Sequence, residues 1–152
     1  MVINGDDSAF YKPETFLSFI SAHKKNKSAV SFVTLVKNEP FGLGRIIRDS
    51  KGLFKSIVEE KDATEEQRKI TEINDGLYIF QRDWLEKNIN KVKKGPQGEY
   101  YLVDLAKSAV DKNEKVLVYK LPNDSQWHGI NTQEQLSQAE EKMKKRLTKN
   151  NA

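Results

Sequence analysis

The stretch AVSFVTLVK, residues 29–37, is apolar at positions that fall on both sides of an extended chain. Successive side chains of a strand alternate, so Val30 and Phe32 share one side while Val33 and Leu35 share the other. A strand apolar on two sides is a strand covered on two sides, as in a sheet with helices on its faces. Upstream, Pro13 suits the first turn of a helix, and Phe16, Leu17 and Ile20 then fall on one face. Downstream, RIIRD and LFKSIVEE flank Ser50-Lys51-Gly52, a hairpin pattern.

The alternation continues to the C-terminus. Thr64 with Gln67 forms a capping box that opens a short helix, TEEQRKI, and GLYIF follows as a strand. Leu85, Ile89 and Val92 mark one more helix, and Leu102, Leu105, Ala106 and Ala109 another. KVLVYKL reads as a last strand. Thr132 with Gln135 is a second capping box, opening a final helix on which Leu136, Ala139, Met143 and Leu147 share a face. Strands alternating with helices predict an α/β sheet flanked by helices.

Length and composition fit a single domain of a water-soluble kind. The chain has 152 residues, 37% hydrophobic and 32% charged. No run approaches the roughly 18 apolar residues of a membrane span, and the first residues carry no signal-peptide pattern. Cysteine is absent, which excludes disulfides and thiolate chemistry. These features lead us to expect a cytoplasmic protein with neither membrane nor nucleic acid as partner. The net charge is +4, and Lys142, Lys144, Lys145, Arg146 and Lys149 crowd residues 141–152. No aromatic stacking residues accompany them, so they read as a basic helix end or tail complementing the macrodipole.

The opening residues, MVINGDD, resemble a buried strand leaving into a loop, yet only Met1, Val2 and Ile3 belong to it. Strands usually run about five or six residues. In α/β sheets ligands sit beyond the carboxyl ends of strands, where Asp6 and Asp7 follow the first strand. Asn131 follows another short apolar stretch and precedes a helix. A carboxylate and an amide oxygen are the donors magnesium takes beside phosphate and water. The same residues also occur as an ordinary turn and an ordinary cap. Other chemistry is missing. His23 and His128 have no ligand-spaced partners, and His23 reads as a surface residue at a Lys-rich helix end. Gly42-Leu43-Gly44 lacks the third glycine of a dinucleotide fingerprint.

Three stretches, FGLGRIIRD, IVEEKDATEEQRKITEINDGLYIF and GPQGEYYLVDLAKSA, together resemble the sugar-phosphate nucleotidyltransferases. They are most similar to the N-acetylglucosamine-1-phosphate uridylyltransferase domain of bifunctional bacterial enzymes, a source of cell-wall precursors. VINGDD and WHGIN match the same template. The resemblance covers residues 1–140 and implies the C-terminal half of a Rossmann-like (GT-A-like) mixed sheet. It also explains the short first strand. That family holds its nucleotide with an upstream loop of the form G-x-G-T-R-M and a Pro-Lys motif, and neither occurs in these 152 residues. The chain therefore reads as the sugar-binding and metal-ligand part of the catalytic domain, inactive alone, with a separate chain carrying the other half as one partner. A non-catalytic remnant or interaction module is the alternative.

The implied reaction joins UTP and N-acetylglucosamine 1-phosphate, giving UDP-N-acetylglucosamine and pyrophosphate. By the resemblance, the backbone of Gly44, the carboxylate of Glu59, the amide of Asn74 and the ring of Tyr101 form the sugar pocket. Asp6 and Asn131 are the implied Mg2+ ligands, Asp7 being the rival to Asp6. Read without the family, Gly44 is a turn, Glu59 a loop charge, Asn74 a bulge residue and Tyr101 core; Glu60, Lys61 and Asp62 read as a solvated loop. Three positions depart from the pattern. Val103 replaces the usual threonine of YYLTD, Asp75 the Thr or Ser after the asparagine, and Leu43 the tyrosine of YGR. Glucose 1-phosphate is accordingly a second candidate sugar.

Overall fold

A computed structural model describes residues 1–6, 9–94, 98 and 100–150, with side chains to residue 148. Six strands make one mixed sheet: β1 (Val2–Ile3), β2 (Val30–Val36), β3 (Arg45–Arg48), β4 (Phe54–Val58), β5 (Glu72–Phe80) and β6 (Val116–Lys120). Their order is β4-β3-β5-β2-β6, with β1 added on β5. The helices are α1 (Pro13–Asn26), α2 (Glu65–Arg68), α3 (Arg82–Asn88), α4 (Val103–Asp111) and α5 (Gln133–Asn150).

β2 behaves as its pattern predicts. Six of its seven residues are buried, and it is paired on both sides, antiparallel to β5 and parallel to β6. Val33 and Leu35 join Phe19 of α1, Ile73, Leu77 and Trp127 in one core layer. Val30 and Phe32 face the other way, against Trp84 of α3 and Leu105, Ala106 and Ala109 of α4. The two alanines let α4 lie close to the sheet. Both capping boxes form: Gln67 N–H donates to Thr64 Oγ1, and Gln135 N–H to Thr132 Oγ1.

The predicted helix through Leu85, Ile89 and Val92 is shorter than its spacing suggests. α3 stops at Asn88 and a 3-10 turn, Ile89–Lys91, replaces the next turn. Asn88 is buried, donates to the Trp84 carbonyl at 2.7 Å and accepts from Lys112, so a polar network ends the helix there. The basic residues from Lys142 onward stand on α5, which runs unbroken from Gln133.

The feature that shapes the site is a bulge in β5. Phe32 pairs with Tyr78 and Thr34 with Asn74, so β5 uses four residue steps where β2 uses two. Asp75 and Gly76 are the extra residues, and Gly76 sits at φ 91°, a conformation that favours glycine. Asp75 is 3% exposed. Its Oδ1 accepts the Leu77 N–H at 2.9 Å, occupying a donor near the break, and its Oδ2 accepts the Tyr11 hydroxyl. Opposite β2, the other edge of β5 is shared: β1 leaves it at Leu77 and β3 joins it at Ile73. The bulged segment therefore lies in the gap between the two.

Candidate active site

The gap gathers three of the four sugar-pocket residues. The β3–β4 hairpin pairs Arg45 with Val58, so continuing its register sets Gly44 opposite Glu59. A Cβ built on Gly44 would stand 3.1 Å from Glu59 Oε1 and 3.0 Å from an Ile57 methyl, so any larger residue would have to displace these side chains by a few tenths of an ångström. The Gly44 carbonyl accepts the Asn74 N–H at 3.0 Å, tying the same residue to β5. Asn74 in turn donates through Nδ2 to the Tyr78 hydroxyl at 2.6 Å. Its Oδ1 is buried and, among the described residues, meets no donor. A buried acceptor without a partner calls for an explanation, and a ligand hydroxyl is one.

The electrostatics fit a polar, partly desolvated pocket. Burial pushes the Glu59 carboxyl above the usual glutamate range; Lys61 pulls it back, and Asp62 and Asp104 add to the rise. Burial likewise pushes the Tyr78 hydroxyl up, against the hydrogen bond from Asn74. Tyr101 is half-buried beside the start of α4, so the reading of it as core does not hold. Its hydroxyl accepts from Lys61 Nζ at 2.8 Å, and the same ammonium lies 5.2 Å from the ring centre. Tyr101 also lines a cavity of about 390 Å³ with Val92, Leu102 and Leu105. Residues 95–97 and 99 of the GPQGEYYL motif lie outside the described residues.

Asp6 is exposed in the turn after β1, and Asn131 is exposed two residues before α5. Residues 10–15, downstream of Asp6, meet residues 126–128, upstream of Asn131. The Lys12 N–H and the Thr15 hydroxyl both donate to Gln126 Oε1, at 2.9 and 2.8 Å, and the Phe10 ring meets His128 edge-on at 5.7 Å. The backbone N–H of Asn131 is held by Gln135 Oε1 at 2.7 Å. Asp7 lies outside the described residues. Among the described residues no three His, Cys, Asp or Glu side chains cluster as a metal site. A hard cation here would thus need phosphate and water beside Asp6 and Asn131.

The family model for nucleotidyl transferases matches residues 1–146. The chain belongs to this family. Among curated relatives it is similar to the bifunctional protein GlmU of Bacillus licheniformis, 40% identical over 150 residues, which is 98% of this chain and 33% of that protein. The GlmU proteins of Bacillus subtilis and Clostridium novyi are 39% and 38% identical, over 98% and 93% of this chain and 33% and 31% of theirs. The chain thus spans about a third of the length of these relatives. A solved structure described as a glucose-1-phosphate thymidylyltransferase of Bacillus anthracis, with sucrose bound, superposes with TM-score 0.69. It covers 90% of this chain and 51% of its own at 15% identity, a likeness of fold.

As a nucleotidyltransferase sheet, this one corrects two readings of single residues. The 3-10 turn Glu60–Asp62 is not simply a solvated loop: Glu60 Oε2 accepts from Arg45 Nη2 at 2.5 Å, and Arg68 reaches Glu60 Oε1 at 3.4 Å. Arg45, the first residue of β3, is 2% exposed. Nor is His23 plainly a surface residue, being half-buried. Its Nδ1 is 2.7 Å from the hydroxyl of buried Ser31, and burial lowers its pKa. No helix among the described residues is long and apolar enough to cross a membrane.

Proposed function

We propose that this chain carries the sugar-phosphate and metal side of a nucleotidyltransferase that makes UDP-N-acetylglucosamine and pyrophosphate from UTP and N-acetylglucosamine 1-phosphate. The observation that carries the reading is the Gly44–Glu59–Asn74 juncture: the half-buried Glu59 carboxylate packs on Gly44, and Asn74, bonded to Gly44 through its backbone, keeps a buried amide oxygen that meets no donor among the described residues. Sugar hydroxyls are bound by such partners, and the Tyr101 ring can cover an acetamido methyl. The resemblance of the FGLGRIIRD, EKDAT and QGEYYL motifs favours the N-acetylated sugar; the Bacillus anthracis neighbour keeps glucose 1-phosphate as the second reading.

In the reaction a phosphate oxygen of the sugar phosphate attacks the α-phosphorus of UTP, and pyrophosphate departs with the electrons of the broken bond. The phosphate is already a good nucleophile, so no general base is assigned. The residues of this chain act by orientation, fixing the sugar so that its phosphate is directed to the nucleotide. Asp6 and Asn131 offer the oxygen donors that suit Mg2+. When bound, it would stabilise charge on the nucleotide phosphates. Lys61, beside Tyr101, adds a cation near the pocket.

Two measurements on the 152-residue chain test this. In NMR titrations, N-acetylglucosamine 1-phosphate should shift the amides of Gly44, Asn74 and Tyr101, and more strongly than glucose 1-phosphate. Pyrophosphate release from UTP should be negligible, because the Gly-x-Gly-Thr-Arg-Met pattern does not occur in these residues and loss of one transition-state donor alone costs about 10²–10³ in rate. Stronger shifts with glucose 1-phosphate would favour the second sugar. Shifts confined to other faces of the sheet would overturn the assignment.

A further inference from the structure

The juncture stands at the open end of a hairpin. The ladder between β3 and β4 ends at the Arg45–Val58 pair, and the next two pairs in register, Gly44 with Glu59 and Leu43 with Glu60, lie beyond it. Ladder ends splay unless something closes them. Here the closing element is the Arg45 side chain: Nη1 donates to the Leu43 carbonyl, and Nη2 donates to Glu60 Oε2. One planar guanidinium thus bridges the two arms one step past Gly44 and Glu59. Arg68 of α2 supports the far arm, its Nη2 donating to the Glu60 carbonyl at 3.4 Å.

Stability alone is a poor account of this arrangement. Arg45 is 2% exposed and its Nε is buried without an acceptor among the described residues. Removing a guanidinium from water is expensive, and a buried pair commonly fails to repay its desolvation. An apolar residue would serve the core as well. What an apolar residue would not do is hold Glu59 against Gly44.

We propose that Arg45 and Glu60 are positioning residues of the sugar pocket: the ion pair between buried Arg45 and half-buried Glu60 clamps the two strand ends, so that the Glu59 carboxylate stays packed on Gly44 and faces the ligand. Arginine is required for the geometry. A lysine keeps the charge beside Glu60 but, as a single point donor, cannot reproduce the planar fork that reaches Leu43 as well. The proposal rests on the sugar-pocket reading for its ligand, and on the hairpin geometry alone for its clamp.

The experiment uses the 152-residue chain with Arg45→Lys, Arg45→Met and, as control, Arg48→Met. The control breaks the Arg48–Glu72 pair at the opposite end of β3. The first readout needs no ligand: the side-chain carboxyl of Glu59 is titrated by 13C NMR. In the parent chain it should titrate above the ordinary glutamate range. Both Arg45 variants should bring it down towards that range as the arm swings into water, and the control should not. The second readout is affinity for N-acetylglucosamine 1-phosphate, which should weaken at least tenfold in both Arg45 variants and less than twofold in the control. If Arg45→Met does not fold, Arg45→Lys decides. Folded Arg45 variants with an unchanged Glu59 titration overturn the clamp. A parent chain that does not bind the sugar phosphate overturns the pocket reading, while the titration still decides the clamp.

Discussion

Glu59 is held where a carboxylate is uncomfortable. Burial raises its pKa above 4.5, with Lys61 opposing and Asp62 and Asp104 assisting. The folded protein therefore binds this proton more tightly than the unfolded chain. The group favours folding below the unfolded value and loses that contribution as pH rises through the folded one. At neutral pH the charged form is a cost to the fold, tolerated for a ligand. Glu59→Gln should thus raise the thermal midpoint at pH 7, lose the advantage near pH 4, and weaken sugar-phosphate binding at both. Thermal melts at the two pH values decide it: a lower midpoint at pH 7, or a difference independent of pH, would show that Glu59 is no such compromise. His23 shows the same physics in a structural role, its half-buried ring held on the Ser31 hydroxyl.

Among elements, β5 concentrates the site because it is irregular. Its bulge sets Asn74 and Asp75 in the gap between β1 and β3, and Gly76 permits the turn of the backbone at φ 91°. A non-glycine residue in that conformation costs about 1–3 kcal/mol. Gly76→Ala should lower stability by that amount in urea titrations, and no change would mean the bulge relaxes freely. The sequence displayed the regular part of this architecture openly. Apolar periodicity located β2 and α4, and the capping boxes at Thr64 and Thr132 marked two helix starts. Resemblance supplied Gly44, Glu59 and Asn74, which spacing alone could not distinguish from a turn, a loop charge and a bulge. What stayed hidden was pairing at a distance. Nothing local in GLGR or EEKD tells that Arg45 is buried against Glu60, and nothing in YK or IND that Tyr11 donates to Asp75. Both contacts depend on register between segments, which only the folded chain defines.

For the molecule as a whole, the sheet's weak place is β1. It has two residues, pairs only with β5 among the described strands, and shares that edge with β3. Among the described strands none pairs with its outer edge, and Met1 and Val2 are 61% and 39% exposed. Such an edge is a template for another strand. The 152-residue chain should therefore associate as its concentration rises from micromolar to near-millimolar, through strand pairing at β1. A competing surface exists on α5, where Leu136 and Leu147 are exposed on the apolar face. Sedimentation velocity separates them. Val2→Lys puts a charge on the β1 edge and should return the chain to monomer, whereas Leu147→Glu should leave association unchanged. If Leu147→Glu dissolves the assembly and Val2→Lys does not, the helix face is the sticky one. A monomer at every concentration would mean that two residues of open edge are too few to nucleate a pair.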